Sequence, residues 1–302
     1  MSIDLTDKEQ LTKYLKSKGL LAKQSLGQNF LVDREVLEKI VEAAEIKTSD
    51  TVIEVGPGLG TLTEELILRA GKVIAIEKDD KLAKLLSSQF CHPELDSGSS
   101  IVNLDSGSQA AVRNDNLVVL NSDILAVNVP ELTGGKPYKV VANIPYYITA
   151  KIIKLFLTSE NKPESIVLLV QKEVAERICA KPGQLSILAL SVQAFGEPEI
   201  VSVVKRDSFF PAPAVDSAIL RIRIQNSEFR IQPEDERELF RLIHIGFASK
   251  RKTLINNLSA GLRIDKKAIA DIIKSIGLGE NARAQELSLE EWKKLSLILK
   301  LK

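Results

Sequence analysis

Asn143 opens a run of four residues, Asn-Ile-Pro-Tyr, that combines hydrogen-bond acceptors with an aromatic ring. The exocyclic amine of adenine is a poor nucleophile because its lone pair is delocalised into the ring. The side-chain oxygen of Asn143 and the carbonyl oxygen of Ile144 could accept both amine hydrogens and draw the nitrogen towards tetrahedral geometry. Tyr146 could stack on an extruded base, as enzymes that modify bases require. The run therefore indicates methyl transfer to a planar amine, although alone it also fits a proline turn with core aromatic residues.

A glycine-rich segment, Gly56-Pro57-Gly58-Leu59-Gly60, follows a strand-like apolar run and precedes a helical pattern. Glycines let the backbone approach a ligand closely, and the start of a helix adds free N–H donors. The Gly-x-Gly-x-Gly spacing differs from the Gly-x-Gly-x-x-Gly spacing that binds a pyrophosphate. The loop alone fits several cofactors. S-adenosylmethionine is one of them, because its amino-acid part needs only close backbone contact.

Two acidic residues follow the next strand-like runs. Glu77 lies 21 residues after Gly56, near the offset of about 20 residues at which an acid binds ribose hydroxyls. Asp123 follows the third run and could accept a hydrogen bond from an adenine amine. Each acid alone could be an ordinary charge at a strand end. Three matches at consecutive strand ends favour an adenosyl cofactor.

Phe209 begins a segment, Phe-Phe-Pro-Ala-Pro, that could form a second wall of the site. Two prolines stiffen the loop, so that Phe209 could be held against the other face of the target base. Phenylalanines before a strand more often belong to the core, and this alternative stays open.

The net charge of +1 is weak evidence for a nucleic-acid partner. Lysine and arginine nevertheless cluster at two places, Lys13, Lys16, Lys18 and Lys23, and Lys250, Arg251 and Lys252. Such clusters suit phosphate contacts and plain solvation equally well. Charge therefore leaves RNA binding open.

Apolar runs rich in Val and Ile alternate with helical patterns through the first two thirds of the chain, at residues 51–55, 73–77, 117–121, 138–142 and 165–170. This alternation predicts an α/β domain with a mostly parallel sheet covered on both faces. Strand patterns end before Pro233, and helical patterns fill the rest. We expect a cofactor-binding domain over residues 1–228 and a helical, RNA-binding domain over residues 229–302.

Residues 89–116 break the alternation. The stretch repeats Leu-Asp-Ser-Gly-Ser at 95–99 and 104–108 and is rich in Ser, Gly, Asp and Asn. Such a composition offers little apolar surface to offset the entropy of ordering. We expect a low-complexity insertion that forms a mobile surface loop.

The composition, with 44% hydrophobic and 27% charged residues in a chain of 302, is ordinary for a globular protein. The first residues do not resemble a signal peptide, and no apolar stretch reaches the ~18 residues of a membrane span. Cys91 and Cys179 fit no disulfide or metal spacing. We expect a cytoplasmic protein with no metal ion and no membrane partner.

Taken together, these motifs resemble those of the KsgA/RsmA family of small-subunit ribosomal RNA adenine dimethyltransferases. The resemblance covers nearly the whole chain and rests on residues 23–33, the glycine-rich segment, Glu77, Asp123, and residues 143–146, 171–174, 209–217 and 251–253. It implies a Rossmann-like, S-adenosylmethionine-dependent methyltransferase sheet with helices on both faces, plus a small all-helical C-terminal domain.

The resemblance also implies roles for individual residues. The cofactor would lie against Asn29, Leu31, Gly56, Glu77, Asp123 and Asn143. The target adenine would be clamped by Asn143, Tyr146 and Phe209. The substrate would be two adjacent adenosines in the 3′-terminal hairpin of 16S ribosomal RNA, each dimethylated within an assembling small subunit by a monomeric enzyme.

Three other functions compete with this one. The related Erm class methylates large-subunit RNA, and residues 26–29 and 252–253 favour the small-subunit family instead. The intact Asn-Ile-Pro-Tyr run disfavours a non-enzymatic assembly factor that kept the fold. The glycine spacing disfavours a nicotinamide dehydrogenase. Such an enzyme would also use a histidine near the sheet edge for hydride transfer, whereas His92 lies in the insertion and His244 in the helical domain.

Overall fold

The computed structural model describes residues 5–20, 28–90, 102–104, 108–113, 116–225 and 233–300. The chain divides into two compact units. One unit comprises Met1–Ala175 and Glu199–Ile224, and the other comprises Glu176–Pro198 and Gln225–Lys302. The division expected from the sequence, at residues 228 and 229, remains a prediction. The grouping of Glu176–Pro198 with the helical unit is a feature that the sequence pattern did not indicate.

The described strands are β1 Phe30–Leu31, β2 Thr51–Val55, β3 Lys72–Glu77, β4 Val102–Leu104, β5 Ser108–Arg113, β6 Leu117–Asn121, β7 Lys139–Asn143, β8 Ser165–Gln171, β9 Gly196–Val204, β10 Phe209–Phe210 and β11 Ser217–Ile224. The described α-helices are α1 Lys8–Ser17, α2 Arg34–Ala44, α3 Thr61–Ile67, α4 Asp80–Phe90, α5 Val129–Thr133, α6 Thr149–Thr158, α7 Lys172–Ile178, α8 Ile187–Gln193, α9 Pro233–Gly246, α10 Leu254–Leu262, α11 Lys266–Ser275 and α12 Leu289–Lys300.

Nine strands form one sheet in the order β4-β5-β6-β3-β2-β7-β8-β11-β9. The five central strands, from β6 to β8, pair in parallel, whereas β11 pairs antiparallel with β8. The chain moves outward from β2 in one direction through β3 and β6, and in the other through β7 and β8. The gap between β2 and β7 is therefore a topological switch point, where α/β sheets bind ligands at the carboxyl ends of their strands.

Both faces of the central sheet are buried, as the continuous Val and Ile runs predicted. One face packs against α2 and α3 and includes Val52 and Val141. The opposite face includes Ile53 and Val140, which are also fully buried. This burial confirms the expected α/β sheet covered on both sides.

Helix α2 begins where the sequence suggested. The Asp33 side chain accepts a hydrogen bond from the Val36 amide at 3.2 Å and so caps the helix. Helix α1 buries Leu11 and Leu15 in a small cluster that also contains Leu59 and Leu82. Through Leu59, this cluster supports the glycine-rich turn from outside.

The described part of residues 89–116 forms regular elements where the sequence predicted a loop, while the insertion and its mobility remain predictions. Gln89 and Phe90 complete α4, and β4 and β5 form antiparallel strands that extend the sheet beyond β6. Without β5, strand β6 would be an edge with unpaired N–H and C=O groups, and pairing satisfies them. Residues 91–101, 105–107 and 114–115 lie outside the described residues.

The helical unit has its own core. Helices α8 to α12 contribute to it, and Trp292 is fully buried at its centre. The Phe247 ring stacks on Trp292 with a centroid separation of 6.0 Å. Gly246 lies so close to the indole that an added Cβ would clash with it.

We predict that Gly246→Ala lowers the free energy of unfolding of the helical unit by about 1–3 kcal/mol, because the new methyl group overpacks the core against Trp292. Trp292 is the only tryptophan of the chain, so its fluorescence in a denaturant titration reports on this unit directly. Gly279→Ala is the matched control, because its Cβ would meet no atom within 4 Å. Equal stability of the two variants would contradict the packing described for Gly246.

Candidate active site

A cavity lies at the carboxyl edge of the sheet, where β2 and β7 end. Its walls come from the segment around β1 and from the turns that follow β2, β3, β6 and β7. It is lined by Tyr146 and by all of the residues that the resemblance assigned to the cofactor: Asn29, Leu31, Gly56, Glu77, Asp123 and Asn143. The parallel pairing of β2, β3, β6 and β7 brings Gly56, Glu77, Asp123 and Asn143 together, whereas Asn29 and Leu31 come from the segment around β1, which pairs with β10.

The glycine-rich turn joins β2 to α3 with three residues of positive φ. Gly56, Gly58 and Gly60 have φ angles of 67°, 61° and 86°, which L-residues with a Cβ rarely adopt. At Gly60 space is also limiting, because an added Cβ would lie 2.7 Å from the ring of Phe90. The Gly56 amide donates to the Ile76 carbonyl at 2.9 Å and ties the turn to β3. The turn thus presents bare backbone to the cavity.

Glu77 ends β3 directly beside this turn. One carboxylate oxygen accepts from the Gly58 amide at 3.1 Å, and the other accepts from the Asp79 amide at 2.8 Å. Burial raises the pKa of Glu77, and the two amides oppose that rise. The carboxylate is therefore held in a fixed orientation with lone pairs still available to a ligand.

Glu54 is a lining residue that the sequence analysis did not select. It is 1% exposed in the central strand β2, and neither carboxyl oxygen has a hydrogen-bond partner among the described residues. Burial raises its pKa to about 8, and the nearby Glu77 carboxylate adds to the rise. The Thr63 hydroxyl lies near enough to oppose this rise, but it forms no regular hydrogen bond with the carboxyl. A single acid within an apolar Val-Ile strand was the sequence signal for this residue.

Asp123 lies at the rim of the cavity, after β6. Its carboxylate accepts from the Lys78 ammonium at 2.8 Å and from the Leu125 amide at 3.0 Å. The Lys78 ammonium lowers the pKa of Asp123. This partner was not predicted, because Lys78 is 45 residues away along the chain.

Asn143 ends β7 with its amide group oriented by the backbone of another segment. The side-chain nitrogen donates to the Asn29 carbonyl at 3.3 Å. The side-chain oxygen is therefore the atom left available as an acceptor, as the amine chemistry requires.

Tyr146 lies in a short 3₁₀ turn after the run's proline. Its hydroxyl is 2.6 Å from the hydroxyl of Ser217, a buried residue at the start of β11. Burial raises the pKa of Tyr146, so the phenol stays neutral. The ring is anchored at its polar end while its face lines the cavity.

Phe209 is placed differently from the expectation. It does not line the cavity, because its side chain is 1% exposed within the main core cluster. The reason is the pairing of β10 with β1, which sets Phe209 opposite Leu31. In this arrangement the ring cannot stack on a base unless it leaves the core. Phe209 instead supports Leu31, which does line the cavity.

The described ranges hold no group of three or more His, Cys, Asp or Glu side chains that could bind a metal ion. No helix within them is long and apolar enough to cross a membrane. Residues 23–27 of the N-terminal motif lie outside the described residues.

The groups around the cavity fit S-adenosylmethionine. The Glu77 carboxylate is suited to the two hydroxyls of a ribose, and the bare glycine turn is suited to an amino-acid moiety. The partnerless carboxyl of Glu54 is a buried polar group that a ligand could complete.

Comparison with known proteins agrees with this geometry. The family model of ribosomal RNA adenine dimethylases matches residues 19–301. Ribosomal RNA small subunit methyltransferase A of Dehalococcoides mccartyi is 44% identical over 290 residues, which cover 95% of this chain and 92% of that protein. The protein of the same name from Clostridioides difficile is 38% identical over 285 residues, covering 92% and 91%.

Solved structures of methyltransferases are also similar to this chain along most of its length. A dimethyladenosine transferase from Plasmodium falciparum has a TM-score of 0.71 at 28% identity and covers 89% of this chain and 96% of that one. The 23S rRNA methyltransferase ErmE has a TM-score of 0.69 at 29% identity and covers 90% and 100%. The chain belongs to the ribosomal RNA adenine dimethylase family, whose members are S-adenosylmethionine-dependent methyltransferases of ribosomal RNA.

Proposed function

We propose that this chain dimethylates the N6 amines of two adjacent adenosines in the 3′-terminal hairpin of 16S ribosomal RNA, as a monomer acting in the cytoplasm on an assembling small subunit. The observation that carries the chemistry is the orientation of Asn143, whose amide nitrogen is engaged and whose oxygen is available. The choice of subunit is supported by relatives named for the small subunit, which are more similar to this chain than the 29% identical ErmE.

Asn143 and Ile144 would hold the target amine. Both residues line the cavity, so their oxygens can accept the two amine hydrogens from one adenine. S-adenosylmethionine, when bound, supplies the electrophilic methyl group. The rate gain then comes mainly from fixing the amine lone pair in line with that group.

Tyr146 would stack on the extruded adenine. A phenol anchored to Ser217 restricts the ring to one orientation, which reduces the entropy lost when a base binds. No histidine is among the described residues that line the cavity, and none is required, because the amine proton becomes acidic only after the methyl group is attached. It can then leave to water.

The second methyl transfer places a further demand on the same residues. After the first transfer the amine has one hydrogen left, so only one of the two acceptors remains in use. The pocket must then hold the base chiefly by stacking. Tyr146 should therefore contribute more to the rate of the second transfer than to the rate of the first. The stacking role of Phe209 stays a prediction and requires a change in its buried position.

We predict that Asn143→Ala lowers the rate of methyl transfer by at least about 100-fold, as the loss of one positioned polar group does in other active sites. Cofactor affinity, measured by calorimetry, should change little. Asn128→Ala is the control, because Asn128 is exposed and its side chain makes no capping bond. If the Asn143 variant unfolds at a much lower temperature than the control, the residue is structural and not an amine ligand.

Tyr146→Ala should raise the activation free energy of methyl transfer by about 1–3 kcal/mol, because stacking on the target base is lost. Tyr146→Phe keeps the ring and loses only the bond to Ser217, so it should retain most of the rate and should behave like Ser217→Ala. Single-turnover rates for the first and second methyl groups would test whether the second step is the more sensitive. Wild-type turnover in the alanine variant would refute the stacking role.

The choice of substrate is tested by offering labelled S-adenosylmethionine with unmethylated small subunits, with large subunits, or with neither. We expect label in small-subunit RNA, at two neighbouring adenosines in the terminal hairpin. Labelled methyl groups found only in large-subunit RNA would show that the chain is an Erm-type enzyme. Cofactor binding without any label would favour a non-catalytic assembly factor.

A further inference from the structure

Tyr147 is an exposed aromatic residue at the mouth of the cavity that the proposed amine chemistry does not use. It lines the cavity, yet it is 63% exposed. Among the described residues, the other exposed large hydrophobic side chains are leucines and valines. An aromatic ring left in water beside a cavity gains free energy when a ligand covers it. Tyr147 is therefore placed to contact a part of the substrate that stays outside the cavity.

The two neighbouring tyrosines point to opposite sides of β7. Both lie in one short 3₁₀ turn, in which successive side chains are about 120° apart. The Tyr146 hydroxyl reaches Ser217 at the start of β11, on the far side of β8. The Asp123 carboxylate raises the pKa of Lys78 and the Tyr147 phenol adds to this rise, so the phenol lies on the side of β3. A base that stacks on Tyr146 thus leaves the Tyr147 ring available to a different group.

The charge on the Tyr147 side of the mouth suits the backbone of RNA. The Lys78 ammonium pairs with Asp123 at 2.8 Å. It lowers the pKa of Asp123 most, and Lys151, exposed in the first turn of α6, lowers it further. Two ammonium groups against one carboxylate leave positive charge at the rim, which attracts phosphate groups. An aromatic ring beside ammonium groups is the combination that binds single-stranded nucleic acid.

The proposed substrate supplies an occupant for this ring. Enzymes that modify a base within folded RNA extrude it from the stack, which costs free energy. Extrusion uncovers one face of each neighbouring base. A single phosphodiester joins consecutive nucleotides, so a neighbour must stay near the mouth when the target adenosine enters the cavity. An aromatic ring at the mouth can replace the stacking that this neighbour has lost.

We propose that Tyr147 stacks on the nucleotide next to the target adenosine and covers the base face that extrusion exposes, with Lys78 and Lys151 near its phosphate groups. This inference rests on the proposed function, because it requires an extruded adenosine. Tyr147 stabilises the extruded complex and takes no part in the methyl transfer itself. Every base has a π-face, so the same contact can serve each of the two adenosines in turn.

Methyl transfer to reconstituted, unmethylated small subunits tests the proposal. The target adenosine has either its natural neighbours or an abasic nucleotide, placed once on its 5′ side and once on its 3′ side. Single-turnover rates at subsaturating enzyme, read at the target position alone, report kcat/KM. Calorimetry reports the affinity for the cofactor. The variants are Tyr147→Ala, Tyr147→Phe and, as a control, Leu68→Ala, which removes an exposed side chain that does not line the cavity.

On natural subunits we expect Tyr147→Ala to lower kcat/KM by about 5- to 150-fold, which corresponds to the loss of one base–aromatic stack. Its cofactor affinity should not change. Tyr147→Phe, which keeps the ring, and Leu68→Ala should stay close to wild type. An abasic nucleotide on one of the two sides should slow wild type by a similar factor. It should slow Tyr147→Ala little further, because the ring and the base are partners in one contact.

Three results would overturn the inference while wild type remains active. Full activity of Tyr147→Ala on natural subunits, or of wild type on both abasic substrates, would show that no such contact exists, and the second result needs no variant that folds. Losses that multiply independently at both abasic positions would show that the ring and the base are not partners. Weaker cofactor binding by Tyr147→Ala would assign the ring to the cofactor site. Absence of label from wild type on natural small subunits would instead overturn the proposed function, and this inference with it.

Discussion

Parallel pairing of β2 with β3 on one side and β7 on the other is the constraint on which the rest of the structure depends. Val55 pairs with Ile76 and with Ala142, so the three strands end at the same level. Both faces of these strands are buried, so a shift by one residue would move every side chain to the opposite face, where it would not fit the neighbours already packed there. The register is therefore fixed, and with it the distance between the glycine turn and the Asn143 run.

Three carboxyl groups line the resulting cavity, and each has a different environment. Asp123 at the rim is paired with a lysine, Glu77 is held by backbone amides, and Glu54 in the centre of the sheet has no hydrogen-bond partner in the described part of the chain. The compensation for negative charge thus declines from the rim to the interior. A ligand with a positively charged end and a polar, uncharged nucleoside fits this gradient, since its charge is needed where these residues supply none.

The sequence by itself determined the features that depend on neighbouring residues. Continuous Val and Ile runs predicted the buried parallel strands, and the glycine spacing together with the position of Glu77 predicted an adenosyl site. The Asn143–Tyr146 run predicted the amine chemistry. The low-complexity composition of residues 89–116, in contrast, did not predict strands β4 and β5, because composition does not show that β6 would otherwise have an unpaired edge.

Only the tertiary structure decided which groups are partners across long separations in the chain. Asn143 is oriented by the Asn29 carbonyl, 114 residues away, and Tyr146 by Ser217, 71 residues away. Phe209 is another example, because a phenylalanine before a strand has the same local pattern whether it faces a cavity or a core. Its pairing opposite Leu31 placed it in the core. Periodicity reports which face of an element is apolar, whereas contacts between distant segments depend on how those faces pack together.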